Sequence, residues 1–305
     1  MKKTIACLAL LVTAGVTPMF AAPDIVYVAF LGADGNPCTR IAPCKTITHG
    51  LSVAPAGGKV DIIGSGTYDN FTVTQSVTVS AEPGVLADLD VPVSANGITI
   101  NAGSSDIVVL RGLTIHGHGS GNGIQVNSAG RLVVEECISR NFYQALVFTP
   151  STPGMLTVKG GTFEANGSSI FICCASGGTA ANVDIDGITA VFVGVSPYII
   201  GGINVDATLV TITHSVFTGP GGVGNYSKGI GVPHGTAVIE NNSISGFWSG
   251  VFVYDTAYLS SNTITGNSFG VNLVNINGTC FSRGNNTNAA NGTNVSGTLT
   301  PFSPL

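Results

Sequence analysis

AVIENNSISGFWSGVFVYDT (237–256) is followed directly by AYLSSNTITGNSFGVNL (257–273). The second line repeats the first at an offset of 20 residues. Ala237 maps on Ala257, Asn242 on Asn262, Ile244 on Ile264, Gly246 on Gly266, Gly250 on Gly270 and Val251 on Val271. Self-similarity at so short a period marks a solenoid. Each copy holds short alternating apolar runs separated by Gly, Asn and Ser, and no run is long enough for a helix. A coil that returns every ~20–25 residues, each strand parallel to its copy one coil later, is a parallel β-helix.

Working outward, the composition fits one elongated domain. The chain has 305 residues, 42 of them Gly, and only 9% are charged. A hydrophobic content of 44% excludes a disordered chain. Residues 1–22 have the form of a secretory leader. Lys2 and Lys3 start it, 5–16 form an apolar core, and cleavage is expected after Ala21. Removing it leaves nine of the 11 basic residues against 16 acidic ones, a weakly acidic surface. That balance excludes nucleic acid as a partner and argues against an anionic membrane. No apolar run is long enough to span a bilayer. An exported chain, periplasmic or extracellular, enters a compartment where disulfides form.

The mature chain opens on a strand. Cys38 and Cys44 then bracket five residues, with Pro37 and Pro43 beside them. A disulfide pinning this loop is the expectation, and two free thiols are the alternative. Residues 46–53, with Ala54 directly after them, place Ile47, Leu51 and Ala54 at helical spacing before Pro55, which predicts a short helix plugging the open bore.

NPCTRIAPCKTI (36–47), GGKVDIIGSGTY (57–68), FTVTQSVTV (71–79), IVVLRGLTIHG (107–117), NGIQV (122–126), LVVEECISRNF (132–142) and SRGNN (282–286) resemble exported bacterial right-handed β-helix repeat proteins of the pectin-lyase-like superfamily. The resemblance implies an all-β, single-stranded right-handed parallel β-helix with an N-terminal cap. The expected organisation is a signal peptide (1–21), a strand, Cys loop and capping helix (22–58), the β-helix (59–287), and an Asn/Thr/Gly-rich tail or cap (288–305). The superfamily includes pectate lyases, polygalacturonases, alginate epimerases and phage tailspikes, so fold does not choose an activity.

The coils align without that resemblance. One strand recurs at Ile98, Ile124, Leu146, Ile170, Ile203, Ile230, Val251 and Val271. Residues at both ends of each triplet should point into the bore. The middle ones, Thr99, Gln125, Val147, Phe171, Asn204, Gly231, Phe252 and Asn272, should face water. A second strand recurs at Leu110, Val134, Val158, Ile185, Ile212, Ile239, Leu259 and Phe281. One position later, Arg111, Glu135, Lys159 and Asp186 should form a ladder of alternating sign. Asn242 and Asn262 should stack at a turn. The spacing lengthens to 33 and 27 residues around the insertions at 193–202 and 218–229. Insertions in solenoids become loops, often on the binding face.

Candidate chemistry clusters after the first-named strand. Asp206, His234 and Asp255 fall in three consecutive coils at one turn and are the candidate catalytic residues. Tyr226, Lys228 and Trp248 lie at the other edge, with Asn204, Phe252 and Tyr254 completing a candidate sugar-binding groove. Where the resemblance puts the catalytic aspartates of polygalacturonases, this chain has Asn122, Gln144, Ser168, Gly201, Lys228, Ser249 and Phe269. None is a carboxylate. The histidines do not converge, so no metal set is expected. Ca2+ on Asp206 and Asp255 is the most a metal-assisted lyase could draw on, and no cofactor is expected. Adjacent Cys173 and Cys174 are two buried thiols or a vicinal disulfide. The reading that follows is a non-catalytic envelope, surface or glycan-binding protein. The alternative is a polysaccharide-active hydrolase, lyase or epimerase working in the groove.

Overall fold

The computed structural model describes residues 24–173, 182–193, 201–221, 227–274 and 278–303, with the backbone alone for Asn166 and Val205. The expected leader, Cys174, Tyr226 and most of the 193–202 insertion lie outside the described residues.

The chain forms a parallel β-solenoid. Each coil crosses three faces, and in the middle coils one strand runs on from one face to the next, as Gly201–Thr213 and Lys228–Glu240 do. The first face runs from Ile25–Val28 and Lys59–Ile62 through Ile107–Arg111 and Arg131–Glu135 to Thr256–Ser260, Thr279–Ser282 and Leu299–Pro301. The second includes Leu113–His116, Ser243–Ser245 and Thr263–Thr265. The third includes Ile98–Asn101, Ser249–Val253 and Phe269–Leu273. Neighbouring coils pair in parallel, so each apolar residue stacks on its equivalent one coil on, as Ile203, Ile230, Val251 and Val271 do. All four are buried. Burying each such side chain contributes about 1.5–3 kcal/mol before chain entropy is subtracted.

The register matches the sequence alignment, with two corrections. Phe281 does not continue the inward row of Leu259. It pairs with Tyr258 and faces out, while Cys280 turns inward beside Ala257. The larger ring finds an outward partner, stacking on Tyr258 at 4.7 Å and 11°. The middle residues of the third face do point outward, yet Val147, Asn204 and Asn272 are covered rather than wet. Asn272 is held down by its Nδ2–H donating to Ser249 Oγ at 3.0 Å.

The corner between the first and second faces is built the same way in successive coils. A left-handed residue recurs there: Gly112, Glu136, Gly160, Gly187, His214, Asn241 and Ser261 have φ between 49° and 68°. Where asparagine follows, the corner becomes a ladder. Asn242 Nδ2 donates to Asn262 Oδ1 at 3.1 Å, and Asn262 Nδ2 to Asn286 Oδ1 at 2.9 Å. The backbone N–H groups of Asn242 and Asn262 donate to those same oxygens. The expected stack therefore exists and runs one coil further.

The charged row is less regular than expected. Arg111 Nη2 reaches Glu135 Oε2 at 2.6 Å. Asp186, however, turns to Thr213 Oγ1 at 2.7 Å and His214 Nδ1 at 2.8 Å. Lys159 consequently forms no ion pair among the described residues, because its acidic neighbour has nearer donors.

Both ends of the bore are covered. The helix Ile47–Val53 (α1), with Thr46 as its N-cap, buries Ile47 and Gly50. A Cβ on Gly50 would meet the side chains of Val26, Val28 and Val60. The loop before α1 is closed by a Cys38–Cys44 disulfide with a Cα–Cα separation of 4.6 Å. At the far end Thr287–Ala289, Thr293–Ser296 and Leu299–Pro301 form a last coil. There Asn288 takes the inward position of Ile264. Asn291 Nδ2 donates to Asn288 Oδ1 at 2.9 Å, and Asn288 Nδ2 donates to the Asn294 carbonyl at 2.7 Å. Asparagines that bond to one another thus replace the aliphatic core where it meets solvent.

Candidate functional site

The residues expected to form the groove lie on the third face, over Gly201–Thr213, Lys228–Glu240, Ser249–Val253 and Phe269–Leu273. Its floor is the outward row Asn204, Gly231, Phe252 and Asn272, in that order up the stack. Glycine at 231 matters here. A Cβ at that position would lie 3.3 Å from Lys228 Cδ and 3.5 Å from Asn204 Oδ1. The Lys228 side chain therefore lies across Gly231, and its Nζ rests 3.9 Å from the centroid of the Phe252 ring. Burial holds the Lys228 ammonium below its ordinary pKa. This cation covers the row at Gly231 and Phe252.

At the edge where the chain enters these strands, Trp248 packs edge-on against Phe269 at 5.0 Å and 64°. The turn beneath it is set by Ser227, whose Oγ accepts from the Trp248 backbone N–H at 3.2 Å. At the edge where the chain leaves, Asp206 and His234 are direct neighbours in register. His234 Nδ1 is 3.4 Å from Asp206 Oδ1, with the imidazole 68% exposed and the carboxylate 21%. Tyr254, 41% exposed, meets the His234 ring edge-on at 6.4 Å. The sequence-derived residues Asp206, His234, Lys228, Phe252, Asn204, Trp248 and Tyr254 thus fall on one face.

Asp255 belongs to the same turn but is engaged differently. Its Oδ2 accepts the Gly235 N–H at 2.9 Å, and Oδ1 accepts from Thr256 Oγ1 at 3.2 Å. Gly235 has φ +86°, and a Cβ there would run into the Ala207 carbonyl. Asp255 therefore caps a turn that only glycine fits. Phe269 was not read as a lip residue, although it stands one coil beyond Ser249 and beside the single Trp. The coil alignment was the signal that could have found it.

The positions before the strand read Asn122, Gln144, Ser168, Gly201, Lys228, Ser249 and Phe269 in register. These seven residues therefore stack in one row, and none of them is a carboxylate. The remaining histidines stay apart from the groove. His116 and His118 stack at 5.8 Å, with His118 Nε2 2.8 Å from Asp90, and His214 sits on Asp186.

These features define the class: a parallel β-solenoid with a row of polar and aromatic side chains along one face. No protein-family model matches the sequence, and no curated protein matches it. Among solved structures, a rhamnogalacturonan lyase aligns over 85% of this chain and 82% of its own, at 12% identity and a TM-score of 0.43. Among the described residues no helix is long and apolar enough to cross a membrane. The disulfide suits a compartment outside the reducing cytoplasm.

Proposed function

We propose that this chain is an exported envelope or surface β-solenoid that holds a polysaccharide along its third-face groove. The observation that carries the reading is the pair of lips: Trp248 with Phe269 on one edge, Tyr254 with His234 on the other, and Lys228 with Asn204 between them. Aromatic rings pack on sugar faces while polar groups at fixed spacing select hydroxyls or a carboxylate. A glycan array tests it. A bound glycan should lose about tenfold or more in affinity with Trp248→Ala or Tyr254→Ala, the contact of one aromatic side chain. No bound glycan, or unchanged binding by both variants, removes the groove as the binding site.

The second reading, a glycoside hydrolase, lyase or epimerase, rests on the Asp206–His234 pair. A carboxylate beside Nδ1 orients the ring and leaves Nε2 toward solvent, the arrangement of a general base. Asp255 is the second acid in that reading, and Ca2+ between Asp206 and Asp255 its only metal. Incubation with uronate polymers, reading reducing ends and unsaturated products, distinguishes the two. Turnover lost in Asp206→Asn would replace the binding reading with the enzymatic one.

A further inference from the structure

The N-terminal cap holds a donor set that the groove does not use. Sγ of Cys38, Sγ of Cys44 and a ring nitrogen of His49 all lie within 4.8 Å of one another. Both cysteines are fully buried, and His49 is half-buried on α1. The disulfide is not what holds these groups together. Tyr27 N–H donates to the Cys38 carbonyl at 2.9 Å, and Cys44 N–H donates to the Tyr27 carbonyl at 3.0 Å. Ala29 N–H donates to the Cys44 carbonyl at 2.9 Å. The two cysteines are thus tied by backbone bonds to the first strand, Ile25–Val28.

His49 is positioned with equal independence. Its N–H donates to Thr46 Oγ1 at 3.1 Å. The Asp34 carboxylate fixes the approach to the helix, accepting from the N–H groups of Lys45 and Thr46 at 2.9 Å each. Asn36 Nδ2 donates to the Pro43 carbonyl at 2.8 Å and braces the loop. Opening the S–S bond breaks none of these contacts. The Asn36 carbonyl lies 3.7 Å and 3.9 Å from the two sulfurs, ready to accept from the thiols.

Two thiolates and an imidazole are the donors preferred by soft d10 cations. With Zn–S near ~2.3 Å and Zn–N near ~2.0–2.1 Å, ligand atoms around one ion stand roughly 3.3–3.8 Å apart. The sulfurs need only part by a side-chain rotation to reach that spacing. The set contains no carboxylate, so it does not suit Ca2+ or Mg2+. We propose that the reduced cap binds one thiophilic d10 cation, of which Zn2+ is the probe, through Cys38, Cys44 and His49. The disulfide and the metal are alternative staples for the same loop. Reduction by a trialkylphosphine takes two electrons from the phosphine and the oxygen of one water, giving two thiols and the phosphine oxide. Metal binding then releases the two thiol protons. The proposal stands independently of glycan binding.

The test uses the full exported chain, oxidised or reduced with a phosphine that is then removed. Co2+ is titrated as a coloured stand-in and displaced by Zn2+. The reduced protein should show thiolate-to-cobalt charge transfer saturating at one equivalent, and the oxidised protein none. His49→Ala keeps every cysteine and should weaken Zn2+ at least tenfold, while Cys38→Ser should abolish the signal. Alkylation followed by mass spectrometry should find Cys38 and Cys44 protected by Zn2+. If the reduced chain unfolds, Zn2+ should restore its circular dichroism in the wild type but not in His49→Ala. No charge transfer with a folded reduced protein, no restoration of an unfolded one, or equal Zn2+ affinity in His49→Ala overturns the proposal.

Discussion

Replacing Asn262 by alanine tests whether asparagine ladders hold the corners of the solenoid. Asn262 is 1% exposed and makes four bonds between coils. Its Oδ1 accepts from the N–H and the side-chain amide of Asn242 at 3.0 and 3.1 Å. Its Nδ2 donates to the Ile239 carbonyl at 2.7 Å and to Asn286 Oδ1 at 2.9 Å. Alanine removes all four and leaves the buried Asn242 N–H without its acceptor and the Ile239 carbonyl without this donor. Each such loss costs about 1–3 kcal/mol, so the variant should lose about 2–6 kcal/mol. Urea unfolding read by circular dichroism, with hydrogen exchange at the Asn242 and Thr263 amides, measures it. Exchange is needed because a solenoid can open locally. Asn127→Ala is the control. Asn127 is exposed and bonds Asn101 Oδ1 on the surface, so its loss should stay within about 0.5 kcal/mol. Asn262→Asp keeps the acceptor for Asn242, loses the donor to Ile239 and sets an anion beside Asn286 Oδ1. It should be destabilised at neutral pH and partly recover in acid, when the protonated carboxyl can donate. A folded Asn262→Ala protein within 0.5 kcal/mol of wild type would refute the reasoning.

Burial pushes the thiols of Cys137 and Cys280 up to about 12, so neither should react with iodoacetamide at pH 8 until the chain is unfolded. Asp106 is held below the ordinary 3.8 by bonds from Ser76 Oγ and the Gly103 N–H. The stability it adds is complete above that value and lost as pH falls through the depressed one. Asp106→Asn should therefore lose less stability than wild type on acidification from about pH 4 to pH 2, read by thermal melts. Gly235→Ala forces a left-handed residue into the Ala207 carbonyl and should cost at least about 1–3 kcal/mol, with a lower melting temperature.

The coil alignment was legible because a parallel stack repeats inward positions at fixed spacing. The rows through Leu110 and Ile203 could be written down from apolar triplets alone. The reading slipped at Phe281, where TCFS offers two residues of opposite parity for the bore. Size argued for phenylalanine, but the Tyr258 ring outside was the better partner. Outwardness was read correctly and wetness was not, because strand parity says which way a side chain points and nothing of what lies over it. The Lys228 side chain reaching across Gly231 is such a case. The proximity of Cys38, Cys44 and His49 was not legible in the sequence, where the histidines show no converging pattern. The expected disulfide had already accounted for both sulfurs.

Asp206 and Asp255 looked equivalent in the sequence, two carboxylates at one turn in coils flanking His234. The structure separates them. Asp255 has both oxygens committed, one to Gly235 N–H and one to Thr256. Its replacement by asparagine disturbs a turn whose backbone already requires glycine, so lost function in Asp255→Asn would not identify its cause. Asp206 meets an exposed imidazole at 3.4 Å, and its carboxylate accepts no hydrogen bond among the described residues. A carboxylate in that position can be altered without breaking a turn. Asp206→Asn is therefore the variant whose effect on binding or turnover reports on the groove, and it should leave the melting temperature within about 2 °C of wild type, as expected for a surface pair worth 0–1 kcal/mol. A large fall in stability would mean that Asp206 holds the fold, and the groove would then have to be argued from Lys228 and the aromatic lips alone.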